Sequence, residues 1–160
     1  MDPVEILPAR VSDRDKLTHL VRELRDFERL VHQARQPGER VAAEHVDYLI
    51  RSAEKGAGAI FLAWVGADIA GYVAGWMALD QDPLNFREFA SHGYVSDVFV
   101  SHRWRGKDIA QQLLGAIENH LKNQGASRLR IHSLARNAAA LAAYRGFGFT
   151  PMEVVLEKPI

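Results

Sequence analysis

The chain has 160 residues, and its 20 basic and 20 acidic side chains give a formal net charge of zero. This length predicts a single domain over residues 1–160. A zero net charge argues against a dedicated nucleic-acid binder. The absence of cysteine excludes disulfides, thiolate zinc sites and cysteine nucleophiles.

No apolar run approaches the ~20 residues that a membrane-spanning helix needs. The first residues, Met1 to Pro3, lack the basic and then apolar pattern of a secretory signal. We therefore expect a cytoplasmic protein without a membrane partner.

The first half of the chain predicts a strand, two helices and a β-hairpin. The strand is Val4–Leu7, and the second helix is Val41–Ala53. The hairpin joins Ile60–Val65 to Ile69–Leu79 through a glycine-containing turn. The first helix is indicated by apolar residues at helical spacing. They are Leu17, Leu20, Val21, Leu24, Phe27, Leu30 and Val31.

The second half predicts a loop followed by alternating strands and helices. Asp80–Gly93 is polar and irregular, which is typical of a loop. Three strands and two helices follow it. The strands are Tyr94–Val100, Arg128–Leu134 and Val154–Leu156, and the helices are Ile109–Leu121 and Asn137–Tyr144.

The predicted order is therefore β α α β β β α β α β. It indicates an α/β (α+β) fold in which helices flank a central mixed β-sheet. The three consecutive strands favour antiparallel pairing in the first half of the sheet.

A basic turn connects the strand that ends at Val100 to the helix that begins at Ile109. The first amides of a helix lack intrahelical partners, and they bind phosphate oxygens well. Arg103, Arg105 and Lys107 add positive charge to this turn. Composition alone leaves two interpretations open, a solvated basic turn and an anion-binding site.

A second motif distinguishes these interpretations. Asn137, Ala140, Tyr144 and the pair Gly148-Phe149 follow one another at fixed spacing. Together with Arg105 and the Ile109-Ala110 pair after a strand, they resemble the GNAT acyltransferase superfamily. The resemblance extends from Tyr94 to Phe149.

Within that superfamily, the chain is most similar to the diamine-type acetyltransferases. This similarity rests on Leu20–Leu24, on the pair Phe27-Glu28 and on Tyr94–Val100.

The resemblance implies the GNAT fold and transfer of an acetyl group from acetyl-CoA to a primary amine of a small molecule or peptide. The amine would attack directly in a ternary complex, without a metal ion or a covalent enzyme intermediate. Homodimers are common in the family. The resemblance assigns cofactor binding to Val98, Phe99, Val100, Arg105, Gly106, Lys107, Asp108, Ile109, Ala110, Gln111 and Asn137.

The resemblance also assigns Tyr144 as the general acid that protonates the departing CoA thiolate. A tyrosine has a pKa of ~10 and a thiol ~8.5, so this transfer requires close positioning. Asp97 is a candidate base, acting directly or through water. Strict alternation places Asp97 and Ser96 on opposite faces of the strand, and a β-bulge would change which side chain faces the substrate.

Several alternatives remain open at this level. Tyr144 is also compatible with a packed core residue, and Asn137 with a helix cap. Two interpretations remain for the acidic residues Asp80, Asp82, Glu88 and Asp97. All four would form an acidic acceptor pocket, or the first three would lie in a solvated loop.

Asp108 stands where the family usually has glycine. We expect it near the helix N-cap, where its carboxylate would accept hydrogen bonds from free amides. This departure keeps open a non-catalytic acyl-CoA-binding regulator on the same fold. A nucleotide- or phosphate-binding module is a further alternative, but it leaves Asn137 and Tyr144 unexplained.

Overall fold

The computed structural model describes residues 2–160. It contains five strands and four α-helices within this range, joined by short 3-10 turns. The strands are β1 (Val4–Pro8), β2 (Ala59–Val65), β3 (Asp68–Leu79), β4 (Ser91–Val100) and β5 (Leu129–Ile131). The helices are α1 (Arg14–Val31), α2 (Gly38–Lys55), α3 (Ile109–Asn123) and α4 (Ala138–Phe147).

The strands form one sheet in the order β1-β2-β3-β4-β5. Neighbouring strands from β1 to β4 pair antiparallel, whereas β4 and β5 pair parallel. This arrangement confirms the predicted mixed sheet and the predicted β-hairpin. None of the helices formed by residues 2–160 is long and apolar enough to cross a membrane.

The two faces of the sheet carry separate apolar cores. One core lies between the sheet and α1 and α2, and includes Leu20, Val46 and Leu62. The other lies against α3 and includes Val73 and Leu114. We call these two sides of the sheet the α1/α2 face and the α3 face.

Two glycines of β3 allow the backbones around them to approach closely. A Cβ on Gly71 would lie 2.3 Å from the carbonyl oxygen of Phe99. A Cβ on Gly75 would lie 2.8 Å from the carbonyl oxygen of Tyr94 and 3.0 Å from a side-chain carbon of Ile117. Any other residue would place its Cβ against these atoms, which explains why glycine occurs at these two positions inside a strand.

A β-bulge interrupts β4 at Ser96. Ala74 of β3 pairs with Asp97, and the next residue, Gly75, pairs with Val95, so Ser96 is an extra residue in β4. The bulge rotates the following side chains by one position, so that Asp97 lies on the α1/α2 face. Val95 remains on the α3 face.

The strands β4 and β5 separate beyond the bulge. Their parallel pairing covers only Gly93–Val95 of β4. The backbone from Ser96 to Val100 pairs with β3 on one side and has no strand on the other side within residues 2–160. We call this segment the open edge of β4.

The predicted last strand, Val154–Leu156, is wrong. Residues 150–160 form no strand, and the side chains of Val154, Val155 and Leu156 are exposed. A strand needs a hydrogen-bonded neighbour, which an apolar run alone does not provide. The strand at the end of the sheet, β5, is only three residues long.

We predict that Gly71→Ala lowers the free energy of unfolding by about 1–3 kcal/mol, because its methyl group would overlap backbone atoms of β4. The matched variant Gly115→Ala lies in α3 and meets no atom within 4 Å. It should stabilise the protein by ~0.5–1 kcal/mol through helix propensity. Urea unfolding of both variants tests this; equal effects would contradict the close approach.

Candidate active site

A buried carboxylate lies at the centre of the α1/α2 face. Oδ2 of Asp97 accepts hydrogen bonds from Nη2 of Arg25 and from the hydroxyl of Tyr72, each at 2.8 Å. Nε2 of His45 lies 2.8 Å from the same oxygen. The hydroxyl of Ser96 donates to Oδ1 at 2.9 Å. We call these five residues the Asp97 cluster.

The cluster keeps Asp97 ionised although its side chain is only 3% exposed. Burial opposes the negative charge, but hydrogen bonding by His45 and the charge of Arg25 outweigh it and lower the pKa of Asp97 to about 2. Burial and the neighbouring carboxylate raise the pKa of Tyr72 well above its usual value, so its hydroxyl keeps the donated proton.

Apart from the neighbours Ser96 and Asp97 of β4, the members of the cluster come from different parts of the chain. Arg25 lies on α1, where Nη1 also donates to Glu28 at 2.7 Å. His45 lies on α2 and Tyr72 on β3. The bulge places Asp97 opposite all three side chains. The cluster therefore ties α1 and α2 to the centre of the sheet.

Sequence reasoning identified Asp97 but missed Arg25, His45 and Tyr72. A signal for His45 existed, because it lies beside the buried residues Ala42, Val46 and Leu49 of α2. A titratable side chain within an apolar helical stripe indicates a buried polar partner. The partner itself, Asp97, is 52 residues away in sequence.

A row of aromatic rings extends from the cluster along the same face. The rings of His45, Tyr48, Trp76, Tyr94 and His132 follow one another with centroid separations of 5.6–5.7 Å. Tyr48 is 44% exposed, whereas Trp76 is buried. These rings give the site an aromatic wall with a partly open surface.

Tyr144 lies on α4, with its ring packed edge-on against Phe149 at 6.1 Å. Its hydroxyl forms no hydrogen bond with another of residues 2–160. Burial raises the pKa of Tyr144, and the charges of Asp97 and Glu28 raise it further. The hydroxyl therefore holds its proton at neutral pH. It is available to a ligand rather than to a protein partner.

Asn137 caps α4. Its Oδ1 accepts a hydrogen bond from the amide of Ala140 at 3.1 Å. This cap fixes the start of the helix that carries Tyr144, so the capping interpretation of Asn137 is confirmed. Its predicted contact with a cofactor remains a prediction.

The basic turn after β4 is shaped by stacking. Nε of Arg105 donates to the carbonyl of Val100 at 3.1 Å, and its guanidinium lies 4.8 Å from the ring centroid of Phe27. Nζ of Lys107 lies 4.6 Å from the ring centroid of Trp104. Trp104 packs against the apolar core of the α3 face.

The expectation that the carboxylate of Asp108 caps α3 is wrong. Asp108 occupies the N-cap position, but its side chain makes no capping hydrogen bond. Its backbone has φ 61°, in the left-handed region that favours glycine. The left-handed backbone does not have the extended conformation of an N-cap whose side chain reaches the first-turn amides.

The amides at the start of α3 therefore lack a side-chain cap. The backbone hydrogen bonds of the helix begin with that from Gln112 to the carbonyl of Asp108 at 3.2 Å. The amides of Ile109, Ala110 and Gln111 precede it, and a helix leaves such amides without internal partners. They form an anion site of the kind that suits a diphosphate.

The structure thus brings most of the predicted cofactor-binding residues to one region. Val98, Phe99 and Val100 form the open edge, and the basic turn follows directly. Two side chains in this set point elsewhere. Ile109 is buried in the core, and Nε2 of Gln111 donates to the carbonyl of Ala143 at 3.0 Å, which links α3 to α4.

The four acidic residues considered as an acceptor pocket do not converge. Asp80 lies just beyond β3 and pairs with Arg130 at 2.9 Å. It is six residues from Ala74, the β3 partner of Asp97, which corresponds to ~20 Å along a strand. Asp82 and Glu88 are exposed in the intervening loop, as the solvated-loop interpretation expects.

We predict that Asp97→Asn destabilises the protein by about 3 kcal/mol at neutral pH, because it removes the anion that faces Arg25. The folded pKa of Asp97 lies below its usual value of 3.8. Its contribution is therefore present above pH ~4 and is lost as the pH falls toward 2.

Urea unfolding between pH 2 and pH 7 tests this prediction. The wild type should lose on the order of 2 kcal/mol more than Asp97→Asn over this range. Asp68→Asn removes an exposed carboxylate that pairs with Arg103, and it should keep the wild-type acid sensitivity. Parallel pH curves for wild type and Asp97→Asn would contradict the assignment.

Comparison with curated proteins identifies relatives in Bacillus subtilis. The chain is 27% identical over 88 residues to the uncharacterized N-acetyltransferase YycN, covering 55% of this chain and 54% of the relative. It is 28% identical over 86 residues to the uncharacterized N-acetyltransferase YdgE, covering 54% and 53%. The matched region thus spans about half the length of these relatives.

Comparison with solved structures shows the same fold over the whole chain. The aminoglycoside N-acetyltransferase AAC(6')-Iy in complex with CoA superposes with a TM-score of 0.74 at 14% identity, covering 100% of this chain and 96% of the other. The crystal structure of YycN from Bacillus subtilis superposes with a TM-score of 0.71 at 20% identity, covering 99% of both chains.

A protein-family model described as the acetyltransferase (GNAT) family matches residues 19–149. This range includes α1, the bulged strand β4, the basic turn and the helix that carries Tyr144. The chain belongs to the GNAT acetyltransferase family.

Proposed function

We propose that the protein transfers an acetyl group from acetyl-CoA to a primary amine of a small molecule or peptide. One observation carries this proposal. The open edge of β4 leads from uncapped amides at the start of α3 to the Asp97 cluster at the bulge. A thioester joined to a diphosphate by an amide-rich arm would fit this path, with the diphosphate at the amides of α3 and the thioester at the bulge.

The diphosphate would lie on the amides of Ile109, Ala110 and Gln111, beside Lys107. The backbone of Val98–Val100 would pair with the amides of the pantetheine arm, as an added strand does. Asn137 would contact the arm from the start of α4. This placement uses the backbone amides of Ile109 and Gln111, because the side chains of these two residues point elsewhere.

The thioester would lie near the bulge, between the Asp97 cluster and Tyr144. A backbone N–H of the open edge would polarise its carbonyl. As the amine nitrogen bonds to the carbonyl carbon and the carbon–sulfur bond breaks, Tyr144 would donate its proton to the departing sulfur. The support is a hydroxyl that is protonated and without a partner among residues 2–160.

Asp97 would contribute as a fixed negative charge rather than by taking a proton directly. Its oxygens already face four donors, and its pKa of about 2 makes it a weak base. This arrangement disfavours the direct-base interpretation of Asp97. The aromatic wall from Tyr48 to His132 would face the acceptor.

Neighbouring structures support this acceptor class. One superposing structure is AAC(6')-Iy with a bisubstrate analogue, CoA-S-monomethyl-acetylneamine, at a TM-score of 0.73. A cytoplasmic location and a homodimer are further parts of the proposal. Asp108 does not favour the non-catalytic alternative, because its backbone already has the conformation that glycine would adopt.

Ligand-dependent melting and an amine panel test the function. Acetyl-CoA should raise Tm, and S-acetylpantetheine, which lacks the diphosphate, should do so much less at the same concentration. Thiol release from acetyl-CoA should then depend on an added amine. Equal shifts in Tm would reject the diphosphate site. If none of the amines in the panel caused thiol release from acetyl-CoA, the transfer reaction would be rejected.

We predict that Tyr144→Phe lowers kcat by ~10²–10⁴-fold, the usual contribution of general acid catalysis. The affinity for acetyl-CoA should change little, because the packing of the ring on Phe149 is kept. Single-turnover kinetics and titration calorimetry give the two quantities. An unchanged chemical step would assign Tyr144 to the core alone.

We predict that Asp108→Asn tightens acetyl-CoA binding by about two- to fivefold, since it removes a negative charge beside the helix N-terminus, worth ~0.3–1 kcal/mol. Asp108→Gly should bind similarly and should also melt at a higher temperature, because glycine adopts φ 61° without strain. Calorimetry and melting of both variants separate the effect of the Asp108 charge on binding from the effect of backbone strain on stability. Weaker binding in both variants would show that Asp108 assists the ligand.

A further inference from the structure

His45 has an unused nitrogen beside the site. Its Nε2 lies 2.8 Å from Oδ2 of Asp97 and 2.7 Å from Nη2 of Arg25. Its Nδ1 has no hydrogen-bond partner within residues 2–160, and it is not among the buried polar atoms that lack one. The side chain is 22% exposed. Nδ1 is therefore open to solvent or to a ligand.

The ionised carboxylate determines which nitrogen carries the proton in neutral His45. Asp97 is an acceptor only, so a proton on Nε2 makes the 2.8 Å contact a charge-assisted hydrogen bond. A lone pair on Nε2 would accept from Nη2 of Arg25 at 2.7 Å but would face the carboxylate oxygen, and Arg25 already has acceptors in Glu28 and Asp97. Arg25 satisfies the same oxygen from its own side. This tautomer leaves the lone pair on Nδ1, where it is exposed.

We infer that His45 is the proton acceptor for the acceptor amine, with Asp97 as its positioning residue. The inference rests on the proposed function and deepens it. Nδ1 of His45 takes one proton from the ammonium, which leaves a neutral amine with a lone pair. The amine then forms the carbon–nitrogen bond as the carbon–sulfur bond breaks.

The protons balance across this reaction. Tyr144 gives its proton to the sulfur, and the second proton lost by the amine nitrogen restores the tyrosine through water. The imidazolium of His45 releases its proton to solvent. The net reaction converts ammonium and thioester into amide, thiol and one proton.

Charged and titratable groups surround His45 on each side from which an element packs. Arg25 contacts it from α1 and Asp97 from β4, and these two side chains in turn contact Glu28 on α1 and Tyr72 on β3. The ring of Tyr48 on α2 lies 5.6 Å away. The side chains that β2 adds to this core are apolar. Arg35 also lies 3.8 Å from Glu28, and the carboxylates of Asp97 and Glu28 are the negative charges nearest to the transient imidazolium.

His45→Gln tests the inference, because a glutamine amide can replace the Nε2 donor to Asp97 but cannot accept a proton. The substrates are the most active alkylamine of the panel and its analogue with three fluorines on the carbon β to nitrogen, which is much less basic and similar in size. For the alkylamine, kcat/KM should fall by ~10²–10⁴-fold. For the fluorinated amine, already neutral at the assay pH, the loss should be much smaller.

Two controls accompany this comparison. The affinity for acetyl-CoA should be unchanged in His45→Gln, since His45 lies away from the basic turn. His19→Gln, on the exposed side of α1, should leave both kinetic constants unchanged. Equal losses for the two amines would overturn the inference in favour of a structural role, and so would an unaffected His45→Gln. A wild type that acetylates no amine would reject the proposed function itself.

Nitrogen NMR of the ligand-free protein tests the same inference without activity. We expect neutral His45 to carry its proton on Nε2. A proton on Nδ1 in the neutral form would overturn the inference.

Discussion

The burial of one negative charge constrains the whole α1/α2 side of the molecule. A carboxylate removed from water needs donors on all sides, and Asp97 receives them from α1, α2, β3 and its own strand. The two helices are thereby fixed relative to the sheet by directional contacts as well as by apolar packing. Such contacts determine orientation in a way that contacts between leucines do not.

The fold and the site depend on the same irregularity in β4. If Ser96 were an ordinary paired residue of β4, strict alternation would direct Asp97 toward the apolar core around Leu114. The bulge also lies where β4 and β5 separate. The unpaired residue therefore keeps the carboxylate facing its partners at the place where the backbone edge of β4 has no neighbouring strand.

The sequence allowed prediction of the elements that depend on local patterns. The apolar stripes of the helices and the hairpin are local, and the sheet has the predicted mixed pairing. The Asp97 cluster was not predictable, because its contacts, other than that of Ser96 with Asp97, join residues 20–72 positions apart and depend on the register of β3 with β4. The prediction of a strand at Val154–Leu156 was wrong for a related reason, because a strand forms only where another part of the chain pairs with it. The prediction that the carboxylate of Asp108 caps α3 was wrong because the residue type does not reveal a left-handed backbone.

Under the proposed binding mode, the length of the open edge would set the distance that an acyl carrier must span. From Ser96 to Val100 it has five residues, a span of about 13–17 Å at the rise of a β-strand. The amides of α3 and the bulge stand at opposite ends of this span, and the close packing of α3 on Gly75 keeps the separation constant. A carrier with a shorter arm would not reach both ends at once. Under the proposed binding mode, strand geometry would thus select among acyl carriers without recognition of the acyl group.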